Sequence, residues 1–64
     1  MRKISVDFGE TLADKFSLYT ETWPAFHNGW LVITNARLDR FGDEPLLSYA
    51  WPTHTIDQVK IEDA

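Results

Sequence analysis

Cysteine is missing from this chain of 64 residues, which excludes disulfide staples and any thiolate metal site. Its absence fits a reducing compartment, so the cytoplasm is the expected location. Histidine is scarce: His27 and His54 stand alone, in no metal-ligand spacing of the HxxxH kind, and neither a metal nor another cofactor is expected. Basic residues are outnumbered, 6 against 10 acidic ones, for a net charge of −4. Binding to a polyanion relies on Lys and Arg neutralising phosphates, so this balance argues against a nucleic-acid partner. The longest apolar run, residues 30–33, is far short of the ~20 a helix needs to cross a bilayer, and no membrane partner is expected. After Arg2 and Lys3 the chain alternates instead of entering an apolar stretch, unlike a secretory signal. Glycine is sparse too, and Gly9, Gly29 and Gly42 are isolated rather than gathered into a phosphate-cradling loop.

What the chain does have is aromatic bulk: Trp23, Trp30 and Trp51, Tyr19 and Tyr49, and Phe8, Phe16, Phe26 and Phe41. Each large ring buries ~150–250 Å², whereas a domain this small buries only ~60% of its unfolded surface. Some of these rings are therefore expected on a surface that something else covers. With 44% hydrophobic and 25% charged residues, the composition is that of one folded domain over residues 1–64.

The dominant period is two. Ile4, Val6 and Phe8 alternate with Lys3, Ser5 and Asp7, which reads as a half-buried first strand ended by Gly9. Residues 10–14 have room for one helical turn. A second strand runs from Phe16 to about Phe26. Asn28-Gly29 is the strongest local signal, because both residues accept the positive φ that a two-residue type I′ hairpin loop requires. That loop sets a register in which His27 faces Trp30, Phe26 faces Leu31, Ala25 faces Val32 and Pro24 faces Ile33. One hairpin face then carries Phe26, Leu31 and Ile33, and the other Trp23, Ala25, Trp30 and Val32. Both faces are apolar, and Pro24, which lacks an N–H, belongs on a sheet edge. A third strand from Trp30 to about Asp39, a turn over 41–45, a fourth strand over 46–51 and a fifth around Val59 and Ile61 complete the pattern.

The stretch from Gly29 to Leu38, with Thr34, Arg37 and Leu38 after the apolar run, resembles the glycine-hydrophobic-Thr-x-x-Arg-Leu strand of GRAM and bacterial PH-like domains. Tyr49-Ala50-Trp51-Pro52 and Ile56 to Val59 are similar to the strand, turn and strand that follow it there. This resemblance covers about half the chain and implies β strands at these positions; the family's capping helix is not represented. An SH3-like barrel, with its short turn before the last strand, fits the same residues. The expected fold is therefore all-β: a small antiparallel sheet or open barrel of about five short strands, an SH3-like or PH-like half barrel. Its core is expected from Ile4, Val6, Phe8, Leu18, Leu31, Ile33, Leu38, Leu47, Val59 and Ile61.

Catalysis finds little support, since His54 near Asp57 and Ser48 before Tyr49 lie in no nucleophile motif. The expected function is a non-enzymatic binding module, an adaptor or inhibitor that docks on a protein partner through an aromatic edge. Trp23, Pro24, Trp30 and Trp51 are its candidate contacts, with Arg37 and Arg40 as a charged rim. The alternative is an oligomer that sequesters a small nucleotide-type ligand between Trp rings and Arg37 or Arg40. Marginal core size also points to self-association as a homodimer, through the edge holding Trp23 and Pro24.

Overall fold

Residues 1–9 and 15–63 are described by the computed structural model, so the expected helical turn at 10–14 lies outside the described residues. The period-two segments form six antiparallel strands: β1 (Arg2–Asp7), β2 (Lys15–Thr20), β3 (Ala25–His27), β4 (Trp30–Arg37), β5 (Leu47–Pro52) and β6 (Gln58–Asp63). In β1, alternation turns Ile4 and Val6 inward, opposite Leu18 and Phe16 of β2 on one side and Ile61 and Val59 of β6 on the other. β4 is the hub of the other half. β3 and β5 both pair with residues 30–32, and β2 and β5 both pair with Ala36. A strand has only two edges, so β2 and β3 share one edge of β4 and β5 takes the other. The expected second strand is thus a single path interrupted at residues 21–24, and the sheet is five strands wide, curled into an open half-barrel. A 3-10 turn (Thr53–Thr55) precedes the last strand, which returns beside the first. The short turn before the last strand is the one expected of the SH3-like alternative.

The curl is set by one irregularity in β4. Ile33 pairs with Tyr49 but Ala36 with Leu47, so three steps on β4 oppose two on β5, a β-bulge. Asn35 sits in it with φ 50°, in the left-handed region that Asn tolerates better than other side chains with a Cβ. The extra residue resets the alternation: Leu31 and Ile33 point inward, and so, three residues on, does Ala36, fully buried. The bulge carbonyls take side-chain donors. The Thr20 hydroxyl is shared between the carbonyls of Thr34 (2.9 Å) and Asn35 (3.1 Å), and the Thr22 hydroxyl donates to Thr34 (2.8 Å). Thr20 in turn accepts from the Thr22 N–H at 3.1 Å. This clasp ties residues 20–22, where the path leaves the ladder, to the bend in β4.

Ile4, Val6, Leu18, Leu31, Ile33 and Ala36 form the fully buried core, with Phe8, Phe16, Tyr49, Trp51, Ile56 and Val59 packed around it. Three expected core residues are corrected. Leu38 is 49% exposed because β4 ends at Arg37 and the chain turns away at Asp39, whose carboxylate accepts from the Phe41 N–H. Leu47 is 53% exposed at the first position of β5, on the sheet rim beside the bulge. Ile61 does face inward opposite Ile4, yet it is 41% exposed because β6 is the terminal strand of the sheet, paired among the described residues with β1 alone. Across the open side, β5 lays its rings on the β1–β2 hairpin. Phe16 meets Trp51 at 5.3 Å and Tyr49 at 5.8 Å between ring centroids, and Phe8 meets Trp51 edge-on at 5.9 Å. Tilted and edge-to-face pairs of this kind add to the area they bury.

Two substitutions test the bend. Asn35→Gly should leave urea stability unchanged or higher, whereas Asn35→Val should lower it by about 1–2 kcal/mol, the cost of a left-handed residue with a bulky Cβ. Thr20→Val, which keeps the shape and removes the hydroxyl, should cost about 1–3 kcal/mol, because the Asn35 carbonyl loses its side-chain donor and the Thr22 N–H its acceptor, while Thr34 keeps the Thr22 hydroxyl. Equal stability in Asn35→Gly and Asn35→Val, by urea midpoint, would contradict a left-handed backbone at the bulge.

Candidate functional site

The β3–β4 hairpin is built as its loop chemistry dictates. Asn28 (φ 50°) and Gly29 (φ 79°) both adopt positive φ, and the strands pair His27 with Trp30, Phe26 with Leu31 and Ala25 with Val32. The tip is also latched from the end of the neighbouring strand, where Thr53 follows Pro52, the partner of Trp30: the Gly29 carbonyl accepts the Thr53 N–H at 2.8 Å and the Thr53 hydroxyl at 3.0 Å. The ladder stops at Ala25, so Pro24 does not extend it to Ile33. β3 pairs with β4 alone among the described residues, which leaves Pro24 and the rest of this short strand on a free sheet edge, as the missing N–H requires.

This hairpin presents aromatic side chains on both of its faces. On the outer face Trp30 stands between His27 and Pro52, 47% exposed, with half-buried Val32 and exposed Ala25 and Ala50 beyond it. On the inner face Phe26 shares the side of buried Leu31, yet it is 67% exposed, because β3 reaches past the core to the mouth of the half-barrel. There Phe26 and Pro24 face Ile56, Val59 and Ile61 across an open apolar groove of about 410 Å³. Trp23, in the break before β3, is 64% exposed, and the Arg2 guanidinium lies 3.9 Å from its ring centroid. Arg2 is itself held by the Glu21 carbonyl, and the N-terminal ammonium lies 3.5 Å from the Glu21 carboxylate. The cation–π contact therefore fixes the Trp23 ring while leaving most of it open to solvent.

The other sequence-selected residues are placed elsewhere. Trp51 pairs with Leu31 on the inner face, and its half-buried ring belongs to the cluster with Phe8, Phe16 and Tyr49. Arg37 sits at the opposite end of β4 from Trp30, roughly 20 Å away at the usual rise per strand residue. Its Nη1 donates to the Gly42 carbonyl at 2.8 Å, closing the 38–42 loop, and its buried Nε finds no partner among the described residues. Arg40 is exposed in that loop, 5.3 Å from the Phe41 ring. Within one chain, then, Trp23 and Pro24 lie by the free edge of β3 and Trp30 on the outer face of the same hairpin, whereas Arg37 and Arg40 lie at the far end of β4. Asp57 donates its backbone N–H to the Asp7 carbonyl at 2.8 Å, whereas His54 is exposed in the 3-10 turn and Ser48 is exposed on β5. Among the described residues no three His, Asp or Glu side chains gather as a metal site, and no helix is long and apolar enough to cross a membrane.

Phe26, Arg2 and the groove were missed by the pattern. Phe26 was legible as an inward residue, but its exposure depends on how far β3 overhangs the curl. Ile56 and Val59 reach it only by that same curl, from more than twenty-five positions away. The Arg2–Trp23 contact carries no local signal at all. No protein family, curated protein or solved structure matches this chain.

Proposed function

We propose that this chain is a small non-enzymatic binding module, an adaptor or inhibitor, that docks on a protein partner through the aromatic β3–β4 hairpin and the edge it forms at β3. The observation that carries this reading is the exposure of three large apolar side chains within eight residues: Trp23 (64%), Phe26 (67%) and Trp30 (47%). Single exposed apolar residues are ordinary, but large rings gathered along one edge mark interaction sites. Trp is also the residue most enriched among side chains that dominate binding energy. The support beneath them is preorganised, since the hairpin tip is latched to Thr53 and the Trp23 ring is held by Arg2. A partner therefore meets rings already in place, which lowers the ordering cost of association.

The alternative, a sequestered nucleotide-type ligand, is less well served. The apolar groove is lined by one ionisable residue, Asp57, whose carboxylate repels phosphate, and Arg37 and Arg40 lie at the far end of β4. That ligand would need arginines delivered by a second copy. Protein docking needs no such addition.

Affinity capture with the immobilised chain, followed by titration of the purified captured protein, tests the reading. Trp30→Ser and Trp23→Ser should each weaken binding by about thirtyfold or more, as expected for central aromatic anchors. Phe41→Ser, altering a ring that is 85% exposed but in the far loop, should leave it unchanged. Retained affinity in both Trp variants, with folding intact by circular dichroism, would overturn the assignment.

A further inference from the structure

The sheet ends on β6, whose six residues pair with β1 alone among the described residues. This edge has no proline. By contrast, the free edge of β3 is three residues long and closed by Pro24, and β5 ends at Pro52 with no charged residue along it to choose a pairing register. A row of unpaired backbone groups is a template for another strand unless charge or geometry blocks it. On β6 the charges do not block pairing; they select one version of it. Lys60 and Glu62 sit opposite Ser5 and Lys3 and so share the outer face, with Nζ and Oε1 3.2 Å apart, while Val59 and Ile61 share the inner face.

We propose that two copies of this chain join β6 to β6 in antiparallel fashion, with Ile61 opposite Ile61 across a two-fold axis. Two strands that meet so keep their faces aligned only if paired residue numbers sum to an even value. A centre on Lys60 sets ammonium against ammonium, and a centre on Glu62 sets carboxylate against carboxylate. A centre on Val59 sets Lys60 against Gln58 and carries Glu62 past the end of the facing strand, so neither charge finds a partner. A centre on Ile61 places Lys60 of each copy opposite Glu62 of the other, twice by symmetry, and Ile61 against its counterpart. Opposite charges directly across a strand pair stabilise it, and like charges destabilise it. A two-fold interface uses one patch twice, which this self-complementary edge permits. The 41% of Ile61 that the single chain leaves exposed gains an apolar neighbour at the rim of the groove. The homodimer expected at the Trp23–Pro24 edge is thereby assigned to β6 instead, at the rim of the groove that Phe26 also lines, while Trp30 stands on the outer face away from it. The Trp30 variant and the β6 charge variants therefore test the two proposals separately.

Charge exchange between copies supplies the test, read as mass by sedimentation across a concentration series. The native chain should reach twice its own mass. Lys60→Glu alone and Glu62→Lys alone each turn both cross-pairs into like-charge pairs and should weaken the dimer about tenfold or more. An equimolar mixture of the two variants should restore the doubled mass, because each supplies the charge that the other lacks. The 3.2 Å contact within one strand cannot produce that rescue, since both variants have lost it. A chain that stays at single mass up to millimolar concentration would overturn the proposal. So would a dimer indifferent to both substitutions, or a mixture that stays at single mass.

Discussion

A lone sheet can bury its apolar face only against itself, and everything else in this domain depends on the bend that allows it. The bend lies at Asn35, where a left-handed residue inserts an extra position into β4 and two threonine hydroxyls take up the carbonyls it leaves behind. On one side of the bend, Ala36 is turned into the core beside Thr20. On the other, β5 carries Tyr49 and Trp51 over to Phe16 and Phe8. With six fully buried apolar side chains among the described residues, a loss of one or two kcal/mol at this point is a large share of what so small a domain has, on the order of 3–5 kcal/mol.

The same curl divides the three tryptophans between two tasks. Trp51 is spent on closure, held between the rings that join β5 to the β1–β2 hairpin. Trp30 follows the opposite parity on the neighbouring strand, so the pleat that buries Leu31 and Ile33 must turn it outward. Trp23 falls where the path between β2 and β3 leaves the ladder, and no strand of the described residues covers it. Closing the barrel fully would hide Phe26 and the groove but would still leave Trp30 and Trp23 outside. Exposure of these two rings follows from the topology rather than from an incomplete fold.

Much of this was legible in the residues. The Asn28-Gly29 pair gave the hairpin and its register, period two gave the inward set Ile4, Val6, Leu18, Leu31 and Ile33, and Pro24 gave a sheet edge. What escaped was whatever depends on curvature. Ala36 was absent from the expected core because the bulge at Asn35 shifts the alternation by one position, and a single Asn in a β-prone run does not announce a bulge. Leu38 and Leu47 looked like core because alternation says which face a residue takes, not whether anything lies opposite it. Trp51 belonged to the same pattern as Trp23, an aromatic before a proline, and only its cross-strand partner Leu31 separates the ring that closes the fold from the ring left open.

The central claim is that division between one packed tryptophan and two open ones. Hydroxyl-radical footprinting of the free chain, with oxidation rates resolved for each tryptophan, tests it most directly. Trp23 and Trp30 should be modified several times faster than Trp51, and the contrast should vanish when the chain is unfolded in urea. Equal rates in the folded chain, or Trp51 reacting fastest, would contradict the account.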